Sequence, residues 1–253
     1  TRRYSGIGAG VEMRILICSI IRNRRPYLFN WKDLILCLAD ENPDVLFDLS
    51  VYENDSTDGT AEYLHSILPE LQKELFQVSI TCEKNDKPYF PSVKDEDRVT
   101  LLAEARNRTL DQMDLDVYDK IVFIEPDVDY DPDLISELFY MASDICSPYS
   151  LQPENYPSFP WIYDCWATRV KMTDDEFTGP NLYEMPPCLE VDSTFNCFCV
   201  YKAKPFQEGA RFSGINPATG TWDCDTTNIC AEFAQRGYDQ IHLYRIALTH
   251  NAN

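Results

Sequence analysis

Two acidic clusters in this sequence stand where an apolar run ends, and crowded carboxylates need a partner. In KIVFIEPDVDYDPDLI (residues 120–135), the apolar stretch Ile121 to Ile124 leads directly into Glu125, Asp127, Asp129, Asp131 and Asp133. Side chains of an extended chain alternate with a period of two, so Asp127 and Asp129 are expected on one face. Their mutual repulsion calls for a cation, and hard carboxylate oxygens suit Mn²⁺ or Mg²⁺. Such an ion can bridge a diphosphate and neutralise the charge that develops as it leaves. Asp131-Pro132-Asp133 reads differently, with Asp131 as a helix cap and Pro132 at the first helical position. An EF-hand loop is excluded because its glycine and terminal glutamate are missing.

The second cluster lies in LSVYENDSTDGTAEYL (residues 49–64), a strand, a polar turn and a helix. Capping of the helix start accounts for Asp58-Gly59-Thr60. It does not account for Glu53, Asn54 and Asp55 standing together at a strand's carboxyl end, where carboxylates and amides suit a nucleobase or ribose hydroxyls. A third group is WIYDCWATRV (residues 161–170), in which Asp164 can bind sugar hydroxyls and Arg169 a phosphate or an acid. Trp161 and Trp166 either fill a core or offer a face to a pyranose. In GTWDCDTTNIC (residues 220–230), Asp223 and Asp225 precede a helix. Asp225 equally fits an N-cap, which leaves Asp223 as the better candidate for work on a sugar.

The elements that must position these residues alternate. Strand-like runs occupy residues 14–21, 46–53, 78–82 and 120–124. Between them, Leu28, Trp31, Ile35 and Leu38 recur at helical spacing, as do Tyr63, Ile67 and Leu71, and Val99, Leu102, Arg106 and Leu110. This order predicts an α/β fold with a mostly parallel sheet flanked by helices. Ligands of such sheets bind beyond the carboxyl ends of the strands, where both acidic clusters fall. Later, Pro148, Pro153, Pro157 and Pro160, then Pro186 and Pro187, break up the chain. A strand at residues 195–201, a helix at 226–236 closed by Gly237, and a strand at 240–248 follow. The glycine-rich GIGAG at residues 6–10 precedes the first strand, so it is not a phosphate-cradling loop. The chain is thus expected to hold a leader (1–13) and one domain (14–253), with a nucleotide-binding half (14–135) and a loop-rich half for the other substrate (136–253).

Composition bounds the partners. The formal charge is −20, from 42 acidic and 22 basic residues, which excludes an ordinary nucleic-acid binder. No apolar run approaches the ~20 residues of a membrane helix. Of ten cysteines, seven (Cys146, Cys165, Cys188, Cys197, Cys199, Cys224 and Cys230) crowd the loop-rich half, and at least two disulfides and an oxidising compartment are expected. The spacing Cys197-x-Cys199 with Cys224-x5-Cys230 fits no common zinc pattern. Cys18 and Cys37, inside apolar periodic segments, are expected as buried free thiols. The sequons at Asn54 and Asn107 lie in segments assigned to the site and are expected to stay unused.

Strand, ND-S-DGT turn, helix, then LAEARNRTLDQM leading into VFIEPDVDYD resembles the nucleotide-sugar half of GT-A glycosyltransferases. RILICSIIRN, SVYENDSTDGT, EARN, WIYDCWATR and the late segment of Cys224, Cys230 and Phe233 extend the resemblance over nearly the whole chain. They are similar to the fungal capsule mannosyltransferase family, with its cryptococcal α-1,3-mannosyltransferase and capsule-associated proteins. That resemblance implies a GT-A fold, GDP-mannose as donor, Mn²⁺ or Mg²⁺, retention of the α configuration, and a hydroxyl of a mannan-like glycan as acceptor. It implies that Asp127 and Asp129 hold the metal with His250 as third ligand. It places the donor among Ser19, Arg22, Glu53, Asn54, Asp55, Arg106, Asn107 and Asp127, with Arg22 and Arg106 near the diphosphate. Asp223, Asp225 and Asp164 are the catalytic candidates. A Golgi or secretory-pathway lumen, with an upstream membrane anchor, completes the expectation. The rival readings are a sugar nucleotidyltransferase, whose glycine-rich loop SIIRNRRP lacks, and a catalytically silent glycan-binding relative, which would have lost the metal carboxylates.

Overall fold

A computed structural model describes residues 13–90, 92–153, 160–173 and 179–251. The GIGAG segment and Pro157 lie outside them. The elements run β1 (Met13–Ile21), α1 (Leu28–Glu41), β2 (Val45–Asn54), α2 (Thr60–Glu74), β3 (Gln77–Glu83), α3 (Glu96–Asp111) and β4 (Lys120–Ile124). After them come β5 (Val128–Asp129), α4 (Pro132–Ser136), β6 (Ile145–Leu151), β7 (Cys188–Glu190), β8 (Phe198–Lys202), α5 (Ala203–Gln207), α6 (Asp225–Gln235) and β9 (Ile241–His250). Among the described residues nine strands join one sheet in the order β3-β2-β1-β4-β8-β6-β9-β5, with β7 on β9.

The first four strands are parallel, and β8 turns antiparallel against β4. Alternation along β1 sends Leu16 and Cys18 into one core and Ile15 and Ile17 into the other. The first core is closed by Val99 and Leu110 of α3 and by Phe233 of α6, the second by Trp31 of α1 and Leu64 of α2. A sheet covered on both faces explains why β1 reads as an unbroken apolar run. Rings of Phe123, Tyr201, Phe206, Phe212 and Phe233 meet mostly edge to face in the first core. Such contacts each add ~0.5–1.5 kcal/mol beyond the area buried.

Register decides where the polar ends of the strands lie. Ile21 pairs with Glu53 across β1 and β2, and Cys18 with Phe123 across β1 and β4. The segments after β1, β2 and β4 therefore emerge at one edge. Strand β9 extends to His250, two residues beyond the run read from the sequence, and pairs His250 with Val128 of β5. That pairing carries the histidine back to the turn after β4. Pro148 does not break the chain; it sits inside β6, where the register on β9 shifts between Ser147 and Tyr149. A proline is tolerated at such an irregularity because no ladder hydrogen bond is required of its nitrogen.

The expected disulfides are absent, since all ten cysteines are free thiols. Cys146, Cys197, Cys199, Cys224 and Cys230 are buried among the strands and α6. The Cys146 thiol donates to the Leu138 carbonyl and that of Cys230 to Thr226. They pack as small apolar side chains, so the compartment inferred from cysteine count loses that support. Cys18 is buried as expected, whereas Cys37 is exposed on α1.

Candidate active site

The turn following β4 gathers Glu125, Asp127 and Asp129 at the sheet edge. Pro126 and Asp127 form a turn before β5 begins, so the period-two argument fails and Asp129 does not join Asp127. Asp129 is exposed, and its two carboxylate oxygens are taken by the side-chain amides of Asn30 and Asn251. Asp127 turns inward and is only 2% exposed. Its Oδ2 meets Arg24 Nε at 2.9 Å and His250 Nε2 at 3.7 Å, while its buried Oδ1 has no hydrogen-bond partner. Buried polar atoms are nearly always paired, so this oxygen marks a place for something else.

His250 stacks on Tyr163, with ring centroids 3.8 Å apart, and its buried Nδ1 is also without a partner. Burial lowers its pKa, outweighing the opposite pull of Asp127 and Glu125, and holds the ring neutral. Neutral imidazole is the form that ligates metals. Ligand atoms of Glu125, Cys197 and His250 lie within 4.8 Å of one another, the one such group of three among the described residues. The Glu125 carboxylate, the Cys197 thiol and the neutral imidazole converge there. Asp127 stands beside them, its Oδ2 3.7 Å from His250 Nε2 and its Oδ1 unused, and the set fits a divalent cation. Glu125, and not Asp129, is the carboxylate that the structure sets with His250 in this group. Its apolar strand and the proline after it were visible; the turn that separates it from Asp129 was not. Arg24, from the RNRR run, is likewise a site residue that residue spacing alone did not single out.

Behind this turn, Arg106 of α3 is 4% exposed. Its Nε donates to Asp225 Oδ2 at 2.7 Å, and its Nη2 lies 3.6 Å from Glu125 Oε1. Its guanidinium also faces the Phe195 ring, 4.4 Å from the centroid. Burial works against its charge, but Asp225 and Glu125 more than restore it and raise its pKa. Asp225 is the first residue of α6, with Cys224 at the capping position, so its carboxylate serves Arg106 and not the helix end. Asp223 pairs with Arg169 Nη2 at 2.7 Å. Asp164 differs from both in having no arginine partner among its hydrogen bonds; its Oδ2 accepts from the Asn196 N–H at 2.9 Å. Burial, then repulsion from Glu125, raise its pKa to about 7.

Beyond β2 and β3 an open cleft of about 550 Å³ is lined by Glu53, Asp55, Ser56, Glu83, Lys84 and Lys87, among others. Asp55 itself adopts a left-handed backbone (φ 57°) and accepts from the Asn54 amide and from the N–H groups of Asn85, Asp86 and Lys87. Burial opposes its charge, yet these four donors together hold its pKa below the usual value. Glu53 Oε1 accepts from the Ser56 N–H at 2.9 Å. Glu53, Asn54 and Asp55 therefore build the cleft and brace its far wall.

Three donor-binding candidates are engaged within the protein itself. Ser19 is buried, with its hydroxyl donating to the Ile124 carbonyl and accepting from Trp31 Nε1, so it locks β1 to the end of β4. Asn107 exchanges two hydrogen bonds with the backbone of Phe212 and is a structural clamp. Arg22 donates to the carbonyls of Lys87 and Pro88, which makes it a strut of the cleft wall.

Parallel strands feeding one polar edge, with a cation-fitting turn beside a nucleoside-sized cleft, describe the GT-A class of glycosyltransferases, and solved structures of that class share the fold. The mannosyltransferase PcManGT from Pyrobaculum calidifontis, solved with GDP-Man and Mn²⁺, superposes with a TM-score of 0.55 at 12% identity, over 95% of this chain and 57% of its own. TarS residues 1–349 of S. aureus give 0.52 at 12% identity, over 94% of this chain and 60% of that one. GalNAc-T7 with UDP, GalNAc and Mn²⁺ gives 0.53 at 8% identity, over 94% and 44%. The chain spans roughly half the length of these structures. The family described as Cryptococcal mannosyltransferase 1 matches residues 14–233, and the chain belongs to that family. No curated protein matches it in sequence.

Proposed function

We propose that this domain transfers mannose from GDP-mannose to a hydroxyl of a glycan acceptor, retaining the α configuration and forming an α-1,3 linkage, with Mn²⁺ or Mg²⁺ bound. The observation that carries this reading is the pair of buried, unpartnered atoms, Asp127 Oδ1 and His250 Nδ1, beside a cleft of nucleoside size. Family membership supports mannosyl transfer, and the neighbour solved with GDP-Man and Mn²⁺ supports donor and metal.

Glu125, Asp127 and His250 would hold the cation, which supplies positive charge for the departing diphosphate. The chain's own residues do the rest. The cleft between the β2 and β3 ends receives the nucleoside, and its acids accept from base and ribose donors. Arg24, now on Asp127, is the exposed cation free to swing onto a phosphate once the carboxylate is engaged elsewhere. Arg106 holds Glu125 and Asp225 in fixed geometry from behind. Asp164, with a pKa near 7, can hold or release a proton at working pH, as a general acid–base group must. The mannan-like acceptor would lie on the loop-rich side of this edge, and a secretory-pathway lumen remains the proposed compartment.

A thermal-shift panel of nucleotide sugars, with and without Mn²⁺, tests the assignment. A ligand that binds only the folded state raises stability by RT ln(1 + [L]/Kd), ~2.7 kcal/mol at a hundredfold excess over Kd. GDP-mannose with Mn²⁺ is expected to give the largest rise. A larger response to UDP-sugars than to GDP-sugars sinks the donor assignment.

A further inference from the structure

Cys197 has no place in the mechanism above, yet it is the residue nearest to being forced into the site. Asn196 (φ 55°) and Cys197 (φ 61°) are consecutive non-glycine residues in the left-handed region. Such a backbone is strained and persists where its surroundings over-determine it. Here they do. Asn196 Nδ2 has the hydroxyls of Ser147, Thr168 and Thr194 within hydrogen-bond reach for its two N–H groups, and its Oδ1 accepts from Ser150 Oγ at 2.6 Å. The Asn196 N–H is held by Asp164, and the Cys197 carbonyl accepts from the Glu125 N–H at 2.8 Å.

This clamp fixes where the thiol goes. Cys146, Cys199 and Cys230 direct their sulfur atoms at backbone carbonyls, as structural thiols do. The Cys197 sulfur instead lies against the Glu125 carboxylate, in the group completed by His250. A thiol held between a carboxylate and an imidazole, beside two buried atoms without partners, has the composition of a soft-metal donor set. Three separate segments supply these donors, so no cysteine spacing could announce them.

We infer that Cys197 is a ligand of the bound cation, joining Glu125 and His250, and that the site therefore takes thiophilic divalent ions, Zn²⁺ or Co²⁺, in preference to Mg²⁺. The inference rests on the cation site of the proposed function and adds the identity of one donor and the class of ion preferred. Binding sulfur to the ion releases the thiol proton to solvent.

Co²⁺ reports both questions, because a cobalt–thiolate bond gives a near-ultraviolet charge-transfer band that oxygen and nitrogen ligands do not. The metal-free protein titrated with Co²⁺ is expected to show that band, and added Zn²⁺, which has no such band and binds thiolate sites tightly, should bleach it by taking the same site. Cys197→Ser should lose the band and at least ~10-fold in Zn²⁺ affinity, a loss that even outer-shell partners can carry, while Mg²⁺ affinity changes little. Cys188→Ser, at an exposed thiol, should keep the band. Co²⁺ binding seen by melting shift without the band overturns the inference and leaves the cation site standing. A band that survives excess Zn²⁺ or Cys197→Ser also overturns it, by placing the thiolate elsewhere. Absence of any shift with Co²⁺, Zn²⁺ or Mn²⁺ removes the cation site itself. Should Cys197→Ser fail to fold, Glu125→Gln decides: a weakened Co²⁺ titration of the band supports the inference, and an unchanged one overturns it.

Discussion

The turns that follow β2 and β4 look alike in sequence, each an apolar strand running into acids, but they differ in what the acids find. After β2 every acid is satisfied from within. Glu53 takes the Ser56 N–H; Asp55 takes Asn54 and three backbone N–H groups; Asp58 takes the Arg25 N–H and Thr60. After β4 the accounts do not close. Asp127 keeps one buried oxygen unpaired, and of the groups that other segments bring to this turn, His250 of β9 keeps one nitrogen unpaired and Asp164, from the segment after β6, is driven to a pKa of about 7 by burial and by Glu125. Leaving a buried polar atom unpaired costs ~1–3 kcal/mol, so the second turn carries a cost that a bound ion would remove. The lesson is that partner supply, not acid count, separates scaffold from ligand site.

The largest effect that tests this contrast is expected at Asp127. Asp127→Ala should lower turnover at least ~10²-fold, the scale of losing one electrostatic stabiliser. It should also abolish the Mn²⁺-dependent rise in melting temperature. The metal-free fold should survive, because one of the oxygens removed is buried and unpaired, and Arg24, the partner of the other, is exposed enough to turn to water. A variant that keeps both turnover and the Mn²⁺ response moves the cation off this turn.

Asp55→Ala probes the satisfied side, and its expected signature is opposite in kind. Three backbone N–H groups lose a charged acceptor, and such bonds carry ~1.5–3 kcal/mol. Part of that is recovered through solvent, since the loop is exposed. Stability should fall by ~1–2 kcal/mol, and KM for the donor should rise more than kcat falls, because the cleft wall loosens. A kcat loss as deep as that of Asp127→Ala would mean that Asp55 meets the reacting groups directly.

Protonation gives a third contrast, between a raised and a lowered aspartate. The folded state raises the Asp164 pKa from 3.8 to about 7, so it retains a proton that the unfolded chain gives up. Stability therefore declines as pH climbs through that window. Asp55 is shifted the other way, and its contribution is lost only as pH falls below the ordinary aspartate range. Urea midpoints of the metal-free protein at pH 5 and pH 8 should fall more for wild type than for Asp164→Asn. Equal slopes for the two proteins would leave Asp164 an ordinary aspartate.

Much of this was legible in the sequence where local pattern sets structure. Strand β4 lies at residues 120–124 as read, and Asp131 caps α4 with Pro132 at its first position, accepting from the Asp133 N–H. What could not be read depended on partners far along the chain. Nothing local distinguishes Asn107 clamping Phe212 from Asn107 facing a donor, or Asp225 serving Arg106 from Asp225 capping α6. The pairing of β5 with β9, which delivers His250 beside Asp127, involves two residues of β5 and leaves no periodic trace. Cysteine count misled for the same reason, because burial in a large core and disulfide pairing share one composition.

Asp129 is where the sequence and the geometry disagree most usefully. Alternation in an extended strand puts it on the Asp127 face, and a D-x-D reading makes both residues metal ligands. The turn at Pro126 and Asp127 breaks that alternation, and Asp129 is left exposed between Asn30 of α1 and Asn251. Its role in this arrangement is to tie the start of α1 to the segment after β9. Asp129→Ala removes two hydrogen bonds at an exposed site, where water replaces them, so stability should fall by ~1 kcal/mol or less. Turnover at saturating Mn²⁺ should stay close to wild type, far above that of Asp127→Ala. Glu125→Gln should then show the deeper loss of Mn²⁺ response, because its carboxylate, and not that of Asp129, lies with His250. If Asp129→Ala is as inactive as Asp127→Ala while Glu125→Gln keeps its Mn²⁺ affinity, the ion sits on Asp127 and Asp129, and the turn must reorganise around it.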